Sequence, residues 1–379
     1  MDESFLLILG ASARAAAFSA LRAGLRPWAL DLFADRDLCA ACPARAVPPG
    51  RYPAGLPELT RAAPPGPWLY TGGLENRPAV VRRVARDRPL WGNGADALTR
   101  VRDPFALARA LRDADVPCPA VRNRDPPTPP GRWLVKPIRG AGGAGIHFAE
   151  AGDHPRQSAY RQEFIDGDPR SAVFVCDASG CRLLGVTRQL VGADWLHAPA
   201  FRYCGSIGPL APAATERAAW ERLGASVAAF GRLRGLFGVD AVVRDGVPWP
   251  VEVNPRYTAS VEVLEYATGL RALVLHRRVF DPTAQPPPEP ARTGVVGKAV
   301  YYAPRPLVVP AGGPWEDVLR RPPALDEPPA FADIPAAGQH VAAGRPVLTL
   351  FAAGPSPGGC DRRLREAARE MDRWLWKSA

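Results

Sequence analysis

The chain has 379 residues, of which 47% are hydrophobic and 23% charged, values that exclude a wholly disordered chain, a collagen and a coiled coil. At about 100–200 residues per domain, this length predicts two or three domains with substantial cores. The formal net charge is +10, but nearly all of the 48 basic residues are arginine. This arginine bias is typical of a GC-rich genome and no run of like charges stands out, so we expect an anionic small molecule rather than nucleic acid.

Neither secretion nor membrane insertion is predicted from the sequence. The apolar run at residues 5–9 follows acidic residues, the wrong charge for the start of a signal peptide. No stretch approaches the ~18 consecutive apolar residues that a membrane helix needs. Cys39 and Cys42 form a lone pair with no second pair at zinc spacing, which favours a structural role over metal binding. We therefore expect a cytoplasmic protein with reduced cysteines.

The first hundred residues predict an open parallel sheet with helices. Its elements are an apolar strand, an alanine-rich helix and two further strands, at residues 5–9, 13–24, 28–31 and 68–70. The segment from Gly10 to Asp31 imitates a dinucleotide fingerprint, but Ser12 and Ala15 replace its second and third glycines. We therefore predict a Rossmann-like domain over residues 1–100 that binds no NAD. Its helix N-terminus, near Ser12, is suited to a substrate anion.

Beyond residue 100 the pattern changes, which predicts a second α+β domain over residues 101–281. Asp103 is a suitable N-cap for the first of two predicted helices, at residues 103–116 and 214–234. The predicted strands and hairpin fall at residues 133–150, 160–190 and 236–254. A third region over residues 291–379 is predicted to be a small β-rich element with a closing helix, at residues 295–302, 347–351 and 361–377. Proline-rich segments at residues 125–131 and 281–290 are predicted linkers.

The first candidate site combines a lysine with a glycine-rich loop. Lys136 leaves a predicted strand, and the loop that follows contains Gly140, Gly142 and Gly143. Such a loop lets backbone N–H groups approach phosphate oxygens closely, and the ammonium adds a compact charge. A lysine here is informative in an arginine-rich chain, because the two residues are not interchangeable at such a site. A mobile surface hairpin is the alternative that this motif alone leaves open.

The second candidate site is acidic and lies on the predicted hairpin. Asp240 can face Glu252 and Asn254, and the latter two share one strand face because they are two residues apart. Two carboxylates and an amide oxygen suit Mg²⁺, and burying the carboxylates together without a cation would be costly. An acidic pair in a hairpin is usually a surface feature, but the Glu-x-Asn-x-Arg pattern that ends at Arg256 favours a site.

In this order the motifs resemble those of the ATP-grasp superfamily. The resemblance rests on Lys136 with its glycine loop, on residues 162–165 as an adenine-lining hinge and on the acidic set, and it covers residues 100–270. Within the superfamily the chain resembles the predicted ATP-dependent carboligases, a group similar to carboxylate–amine ligases. The motifs that carry this closer resemblance lie at residues 10–15, 31–37, 71–76 and 342–352.

The resemblance implies a role for each candidate residue. The implied nucleotide contacts are Arg102, Lys136, Gly140, Gly142, Gly143, Gln162, Glu163, Phe164, Ile165 and Asp168. The implied ligands of Mg²⁺ or Mn²⁺ are Asp240, Glu252 and Asn254. Lys136 and Arg256 are the implied catalytic residues, with Arg256 neutralising an acylphosphate. The candidate substrate contacts are Arg188, Arg202 and Ser12, with exposed arginines as the alternative for the first two. Many relatives have a lysine where this chain has Arg102, and Pro169 leaves the register of Asp168 open.

The resemblance implies an ATP-dependent ligase that joins a carboxylate to an amine through an acylphosphate, releasing ADP and phosphate. The amine is expected to be an amino acid such as glutamate, and the pathway that of a one-carbon coenzyme of the methanofuran or tetrahydromethanopterin type. The alternatives are a carboxylase that uses bicarbonate, a non-catalytic nucleotide-binding protein and a Rossmann oxidoreductase. The expected cofactors are ATP and Mg²⁺, and the expected partners are small anionic acid and amine substrates, not nucleic acid or a membrane. A homodimer is left open.

Overall fold

The computed structural model describes residues 5–123, 131–150, 158–284 and 292–376. The predicted linkers at residues 125–131 and 281–290 fall mostly outside these ranges. The helices are α1 Arg14–Arg22, α2 Arg36–Ala41, α3 Leu56–Leu59, α4 Pro78–Asp87, α5 Ala95–Val101, α6 Pro104–Asp113, α7 Ala214–Gly231, α8 Ala259–Thr268, α9 Ala272–Phe280, α10 Glu316–Arg320 and α11 Pro357–Trp376. The strands are β1 Phe5–Leu9, β2 Arg26–Asp31, β3 Ala44–Ala46, β4 Trp68–Tyr70, β5 Val121–Arg122, β6 Trp133–Pro137, β7 His147–Phe148, β8 Ala159–Glu163, β9 Asp168–Asp177, β10 Gly180–Val191, β11 Tyr203–Leu210, β12 Gly235–Arg244, β13 Val247–Asn254, β14 Val295–Tyr302, β15 Leu307–Val308, β16 Phe331–Ala332, β17 His340–Val341 and β18 Pro346–Gly354.

The N-terminal strands form a parallel sheet in the order β3-β2-β1-β4, as the sequence predicts. Alanines on one side of α1 pack against the buried Leu6 and Ile8 of β1, because small side chains let the helix approach the sheet. The loop before α1 is fixed by Asp31, whose Oδ2 accepts a hydrogen bond from the Ala13 N–H at 2.9 Å. The predicted α/β class with a Rossmann-like N-terminal domain is confirmed.

A second sheet has eight strands in the order β13-β12-β9-β10-β11-β14-β18-β16, with antiparallel neighbours. The β12–β13 hairpin turns at Asp245 and Gly246, which both have positive φ, the geometry of a two-residue type I′ turn. Helix α7 covers one face of the sheet and buries Trp220. It ends at Gly231 rather than at the predicted residue 234, because Arg232 adopts the left-handed conformation.

The strands of the predicted C-terminal β-rich element extend this large sheet. Strand β14 pairs with β11, so that Gly205 lies opposite Ala299, and β18 continues the sheet from β14. The edge of β11 would otherwise expose unpaired backbone groups, and β14 satisfies them. The boundary that the sequence suggests near residue 281 therefore does not interrupt the sheet.

A third sheet, β5-β8-β6-β7, is small and antiparallel. It brings β6, which carries Lys136, beside β8, which begins the predicted hinge; in the register, Leu134 faces Gln162. A cleft separates the small sheet from the large one, with lining residues on both sheets.

Two further observations concern the predicted redox state of the cysteines and the predicted lack of a membrane helix. Cys176 and Cys181 form a disulfide across the β9–β10 hairpin, where they are directly opposed in the register, which corrects the expectation of fully reduced cysteines. Within the described ranges, no helix combines the length and the apolar character needed to cross a bilayer.

Candidate functional site

The cleft between the two antiparallel sheets has a volume of about 660 Å³. We call it the central cleft and define it by Lys136, Gln162, Asp240, Glu252 and Arg256, which all line it. Its walls include residues of the small sheet and of the large sheet, and its floor is the face of β12 and β13 that carries the acidic side chains. A cleft of this size, mostly apolar with a few convergent charges, is suited to a small-molecule ligand.

Lys136 is buried at the end of β6. Its Nζ donates hydrogen bonds to Gln162 Oε1 and to the Val251 carbonyl oxygen, each at 2.9 Å. Burial lowers the pKa of Lys136, while the nearby Glu252 carboxylate opposes that change. The ammonium therefore connects the small sheet to β13 and places a positive charge inside the cleft.

The glycine loop after β6 is closed onto the large sheet. The Gly142 carbonyl oxygen accepts a hydrogen bond from the Tyr203 N–H at 3.3 Å. Gly143 has a φ of +77°, and a Cβ atom at this position would collide with the Phe201 carbonyl oxygen. Glycine is therefore required here by both backbone conformation and close approach. Gly140 accepts hydrogen bonds from Arg102 Nη2 and from the Asn76 side chain, both at 2.9 Å.

The predicted hinge lines the same cleft with all four of its residues, Gln162, Glu163, Phe164 and Ile165. Backbone and side-chain hydrogen bonds join Glu163 to Ala120, and the Phe164 N–H donates to the Arg132 carbonyl oxygen at 2.9 Å. These bonds hold the hinge in a fixed position against β5.

Asp168 lies beyond the hinge, at the start of β9. Its side chain is 73% exposed, and its Oδ2 lies 3.4 Å from Arg170 Nη2. Gly167 and Pro169 line the central cleft, but Asp168 does not. The structure therefore does not bring Asp168 to the site, because strand alternation turns its side chain away from its lining neighbours.

The acidic set has the arrangement that strand periodicity predicts. Asp240 pairs with Glu252 across the β12–β13 ladder, and Asn254 Nδ2 donates to Asp240 Oδ2 at 2.9 Å. Burial, followed by the neighbouring Glu252 carboxylate, raises the pKa of Asp240 to about 6. Arg102 Nη1 donates to Glu252 Oε1 at 2.6 Å, so the predicted phosphate ligand contacts a predicted metal ligand.

No three His, Cys, Asp or Glu side chains in the described ranges are arranged to hold a metal ion. The acidic set itself contributes two carboxylates and one amide, so it is incomplete without oxygen atoms from a ligand. Mg²⁺ commonly binds in this way, through one or two carboxylates with water and substrate phosphates.

Arg256 lies in a network with a residue that the sequence analysis did not assign. Its Nη2 donates to Glu75 Oε1 at 2.7 Å and to Asn254 Oδ1 at 2.9 Å. Glu75 is buried; burial alone would raise the pKa of Glu75, but the ion pair with Arg256 lowers it overall. Asn76 is the second residue missed, since its Oδ1 accepts from Arg102 Nη2 at 2.9 Å. The segment 71–76 directly after β4 was the available signal for both.

A second cavity, of about 310 Å³, lies between the N-terminal sheet and the C-terminal strands. We call it the N-terminal cavity and define it by Ser12, Asp35, Lys298, Asp333 and Arg256, which all line it. Tyr203, Arg256, Thr258 and Ala259 line both this cavity and the central cleft. The two spaces therefore meet at Arg256, and Ser12 lies where a substrate contact is predicted.

The two other predicted substrate residues lie elsewhere. Arg188 Nη2 donates to Asp361 Oδ1 of α11 at 2.8 Å, whereas the next residue, Gln189, lines the central cleft. Successive strand residues point to opposite faces, so Arg188 faces α11. Arg202 lies beside the glycine loop, but it lines neither of the two cavities. Neither arginine is retained as a substrate contact.

Comparison with known families decides the identity of the central region. Residues 101–260 match the family model of the ATP-grasp domain. The chain has an ATP-grasp domain. This match covers Lys136, the hinge and the acidic set, and it confirms the superfamily that the motifs resemble. No curated protein sequence matches the chain at a significant level.

Solved structures show the same fold around the ATP-grasp domain. An L-amino acid ligase from Bacillus licheniformis has a TM-score of 0.68 at 15% identity, covering 97% of this chain and 97% of its own. N5-carboxyaminoimidazole ribonucleotide synthetase from Thermus thermophilus has a TM-score of 0.68 at 14% identity, covering 98% of each chain. The biotin carboxylase domain of 2-oxoglutarate carboxylase from Hydrogenobacter thermophilus, a complex with MgADP, ADP and bicarbonate, has a TM-score of 0.68 at 13% identity, covering 95% of this chain and 89% of its own.

Proposed function

We propose that the chain is an ATP-dependent ligase that joins a carboxylate to an amine. The observation that carries the proposal is the position of Arg256, where the central cleft and the N-terminal cavity meet. One space is suited to a nucleotide and the other to a second reactant, with a guanidinium at their junction. The L-amino acid ligase and the carboxylase that share this fold make an enzyme of this kind the natural expectation.

ATP would occupy the central cleft. Gln162, Glu163, Phe164 and Ile165 frame its adenine end, while the glycine loop faces the phosphates. Lys136 and Arg102 supply positive charge at the phosphate end, where charge neutralisation assists phosphoryl transfer.

The acidic set fits a divalent cation. Asp240 is half-buried beside Glu252, a like charge, and desolvation followed by this neighbour raises the pKa of Asp240. Arg102 pairs with Glu252, but no ion pair within the described ranges reaches Asp240. Asp240, Glu252 and Asn254 supply hard oxygen ligands of the kind that Mg²⁺ prefers. When bound there, Mg²⁺ would neutralise phosphate charge and orient the transferring group.

The reaction then proceeds in two steps. A carboxylate oxygen of the acid attacks the γ-phosphorus of ATP; the new O–P bond forms as the bond to ADP breaks. The amine nitrogen next forms a C–N bond with the acyl carbon, and phosphate leaves with the electrons of the C–O bond. Arg256 stabilises the negative charge of the acylphosphate, and Glu75 with Asn254 fixes the direction of its guanidinium.

The test is ADP release from Mg-ATP, measured with pairs of carboxylic acids and amines that begin with L-glutamate and the other L-amino acids. The proposal expects release that needs both partners and that Glu252→Ala abolishes. Release that needs bicarbonate and no amine would establish the carboxylase instead. ATP binding without release for any pair would favour a non-catalytic nucleotide-binding protein. Assignment to a one-carbon coenzyme pathway stays a prediction.

A further inference from the structure

The N-terminal cavity contains a buried carboxyl group that the activation of the acid does not use. Asp35 lines this cavity, and only 6% of its surface is exposed. Its Oδ2 atom has no hydrogen-bond partner among the described residues. Asp35 precedes α2 but makes no side-chain capping bond to it, so the helix does not explain the carboxyl group.

The cations near Asp35 already have other partners. Arg14 forms ion pairs with Asp37, at 2.8 Å, and with Glu262. Lys298 Nζ lies 3.1 Å from Glu262 Oε2. Within the part of the chain that the structure describes, no cation forms an ion pair with Asp35, although burying a carboxylate without one is costly.

A second carboxyl group lines the same cavity and increases the negative charge that lacks a cation. Asp333 lines the cavity and accepts one hydrogen bond, from Thr349 Oγ1 at 2.6 Å. Burial and then the charge of Asp333 raise the pKa of Asp35 to about 9. A cation brought into the cavity would restore the ionised form of both groups. Among the described residues, no third His, Cys, Asp or Glu side chain joins Asp35 and Asp333 to hold a metal ion. The proposed reaction itself requires an amine, which is an organic cation when protonated.

The position of the cavity suits the reactant that arrives second. Arg256, Thr258 and Ala259 border both the cavity and the central cleft. If the acid is activated beside Arg256, ATP lies on the central-cleft side of the acyl group. A molecule in the N-terminal cavity then approaches the acyl group from the opposite side. Because the cavity has a volume of about 310 Å³, the molecule that binds there is small.

We propose that Asp35, together with Asp333, binds the ammonium group of the acyl acceptor, which is therefore a small primary amine that enters as a cation. This rests on the proposed function, since the acceptor is the second substrate of the ligase. The bound ammonium transfers one proton to Asp35 Oδ2, and the freed lone pair forms the C–N bond with the acyl carbon. The C–O bond to phosphate breaks, and the departing phosphate takes the second proton.

The first test measures binding of a probe, independently of any reaction. Saturation-transfer NMR on the full chain compares L-alaninamide, which carries an ammonium group, with N-acetyl-L-alaninamide, which does not. Wild type should give a signal with the first probe and none with the second. Asp35→Asn should remove at least four-fifths of that signal. Asp245→Asn is the matched control, because Asp245 is an exposed residue of the β12–β13 turn with a conformation that asparagine tolerates, and it should keep the signal.

The second test separates this proposal from the proposed function. Hydroxylamine traps an acylphosphate without an amine site, so hydroxamate formation from Mg-ATP and each L-amino acid reports the activation step. With an acid that forms hydroxamate, the KM for the L-amino acid acceptor should rise at least tenfold in Asp35→Asn, far more than hydroxamate formation changes. Asp333→Asn repeats the test if Asp35→Asn does not fold.

The outcomes are distinct for the two proposals. Hydroxamate with no effect of Asp35→Asn on the acceptor KM would overturn the ammonium site and leave the ligase proposal standing. No hydroxamate with any acid would contradict the ligase proposal, and the NMR comparison alone would then decide whether Asp35 binds an ammonium group. Equal NMR signals from both probes, or a signal unchanged in Asp35→Asn, would overturn the ammonium site in either case.

Discussion

Two clusters of charged side chains, one buried and one half-buried, differ in how their carboxylates are neutralised. The first, which we call the ion-pair network, joins the N-terminal domain to α8 and β14 through Arg14, Asp37, Glu262 and Lys298. Each carboxylate in it contacts at least one cation, and the pKa of Glu262 stays low despite burial. The second is the acidic set of the central cleft, where Glu252 contacts Arg102. Asp240 lies beside the like-charged Glu252 and forms no ion pair with any described residue.

The difference separates charges that stabilise the fold from charges that await a ligand. A buried ion pair that is complete holds elements in register, and losing one partner leaves an uncompensated charge. A half-buried pair of carboxylates, one of which has no cation, destabilises the empty protein and becomes favourable when a cation binds. Substitutions should therefore affect mainly activity in the cleft and mainly stability in the network.

Among the substitutions that follow, the largest effect is expected at Lys136, and it is on activity. Lys136→Ala removes the ammonium that lies between Gln162 and the Val251 carbonyl, at the phosphate end of the cleft. We expect ADP release to fall about a hundred- to a thousandfold, as when one charge-stabilising donor is lost. Steady-state kinetics measures this, and circular dichroism checks the fold. A folded variant with the wild-type rate would contradict the site assignment.

The largest effect on stability is expected in the ion-pair network. Glu262→Ala leaves Arg14 and Lys298 without a shared partner, and breaking a buried pair costs about 3–5 kcal/mol. Thermal unfolding should show a Tm lower by about 4–6 °C. Glu221→Ala is the matched control, because it breaks an exposed helical pair with Arg217 that contributes at most about 0.5 kcal/mol. Equal losses in the two variants would show that the network does not stabilise the fold.

A third prediction uses the pKa of Asp240, which is about 6 in the folded protein and ordinarily near 3.8. Because the folded state binds this proton more tightly than the unfolded state, the group's contribution to metal-free stability falls as pH rises from about 4 to 6. Above pH 6 the carboxylate is ionised and can bind Mg²⁺. The increase in Tm caused by Mg-ATP should therefore be small at pH 5 and reach its full value by pH 7.

Asp240→Asn should remove this pH dependence along with most of the Mg-ATP effect, while leaving metal-free stability at pH 8 equal to or above that of wild type. A variant that kept the full wild-type response to Mg-ATP would exclude Asp240 as a ligand of the cation.

The smallest effect is expected at Arg188. Its pair with Asp361 is partly exposed and lies on the face of β10 away from the cleft. We expect Arg188→Ala to change stability by about 0.5 kcal/mol and the KM values for the substrates by less than twofold. A tenfold increase in the KM for either substrate would restore the original prediction for this arginine.

The local pattern of the sequence was sufficient to predict much of the cleft. Strand periodicity alone placed Asp240 opposite Glu252, and it placed Asn254 on the same face as Glu252. The strand at residues 295–302 is observed with the predicted bounds, because a run of β-branched and aromatic residues lies between turn-forming segments. Both are properties of neighbouring residues and need no knowledge of distant contacts.

Long-range pairing could not be read from the sequence. The assembly of β14 with β11 depends on an unpaired sheet edge that no local pattern reveals. No local pattern reveals that Asp35 and Asp333 line one cavity either, because the two residues are far apart in the chain. The sheet face on which Arg188 lies could not be predicted either, because an irregularity between Val186 and Arg188 shifts the register of β10 against β11.

The most direct test of the central claim is thermal unfolding of wild type and Glu252→Ala with Mg-ATP, and with NADH for comparison. A nucleotide at 100 times its Kd should add about 2.7 kcal/mol to the free energy of unfolding. We expect Mg-ATP to raise the Tm of wild type, NADH to have no effect, and Glu252→Ala to lose the response. Stabilisation by NADH alone, or an equal Mg-ATP response in both proteins, would contradict a nucleotide site in the central cleft built on its acidic set.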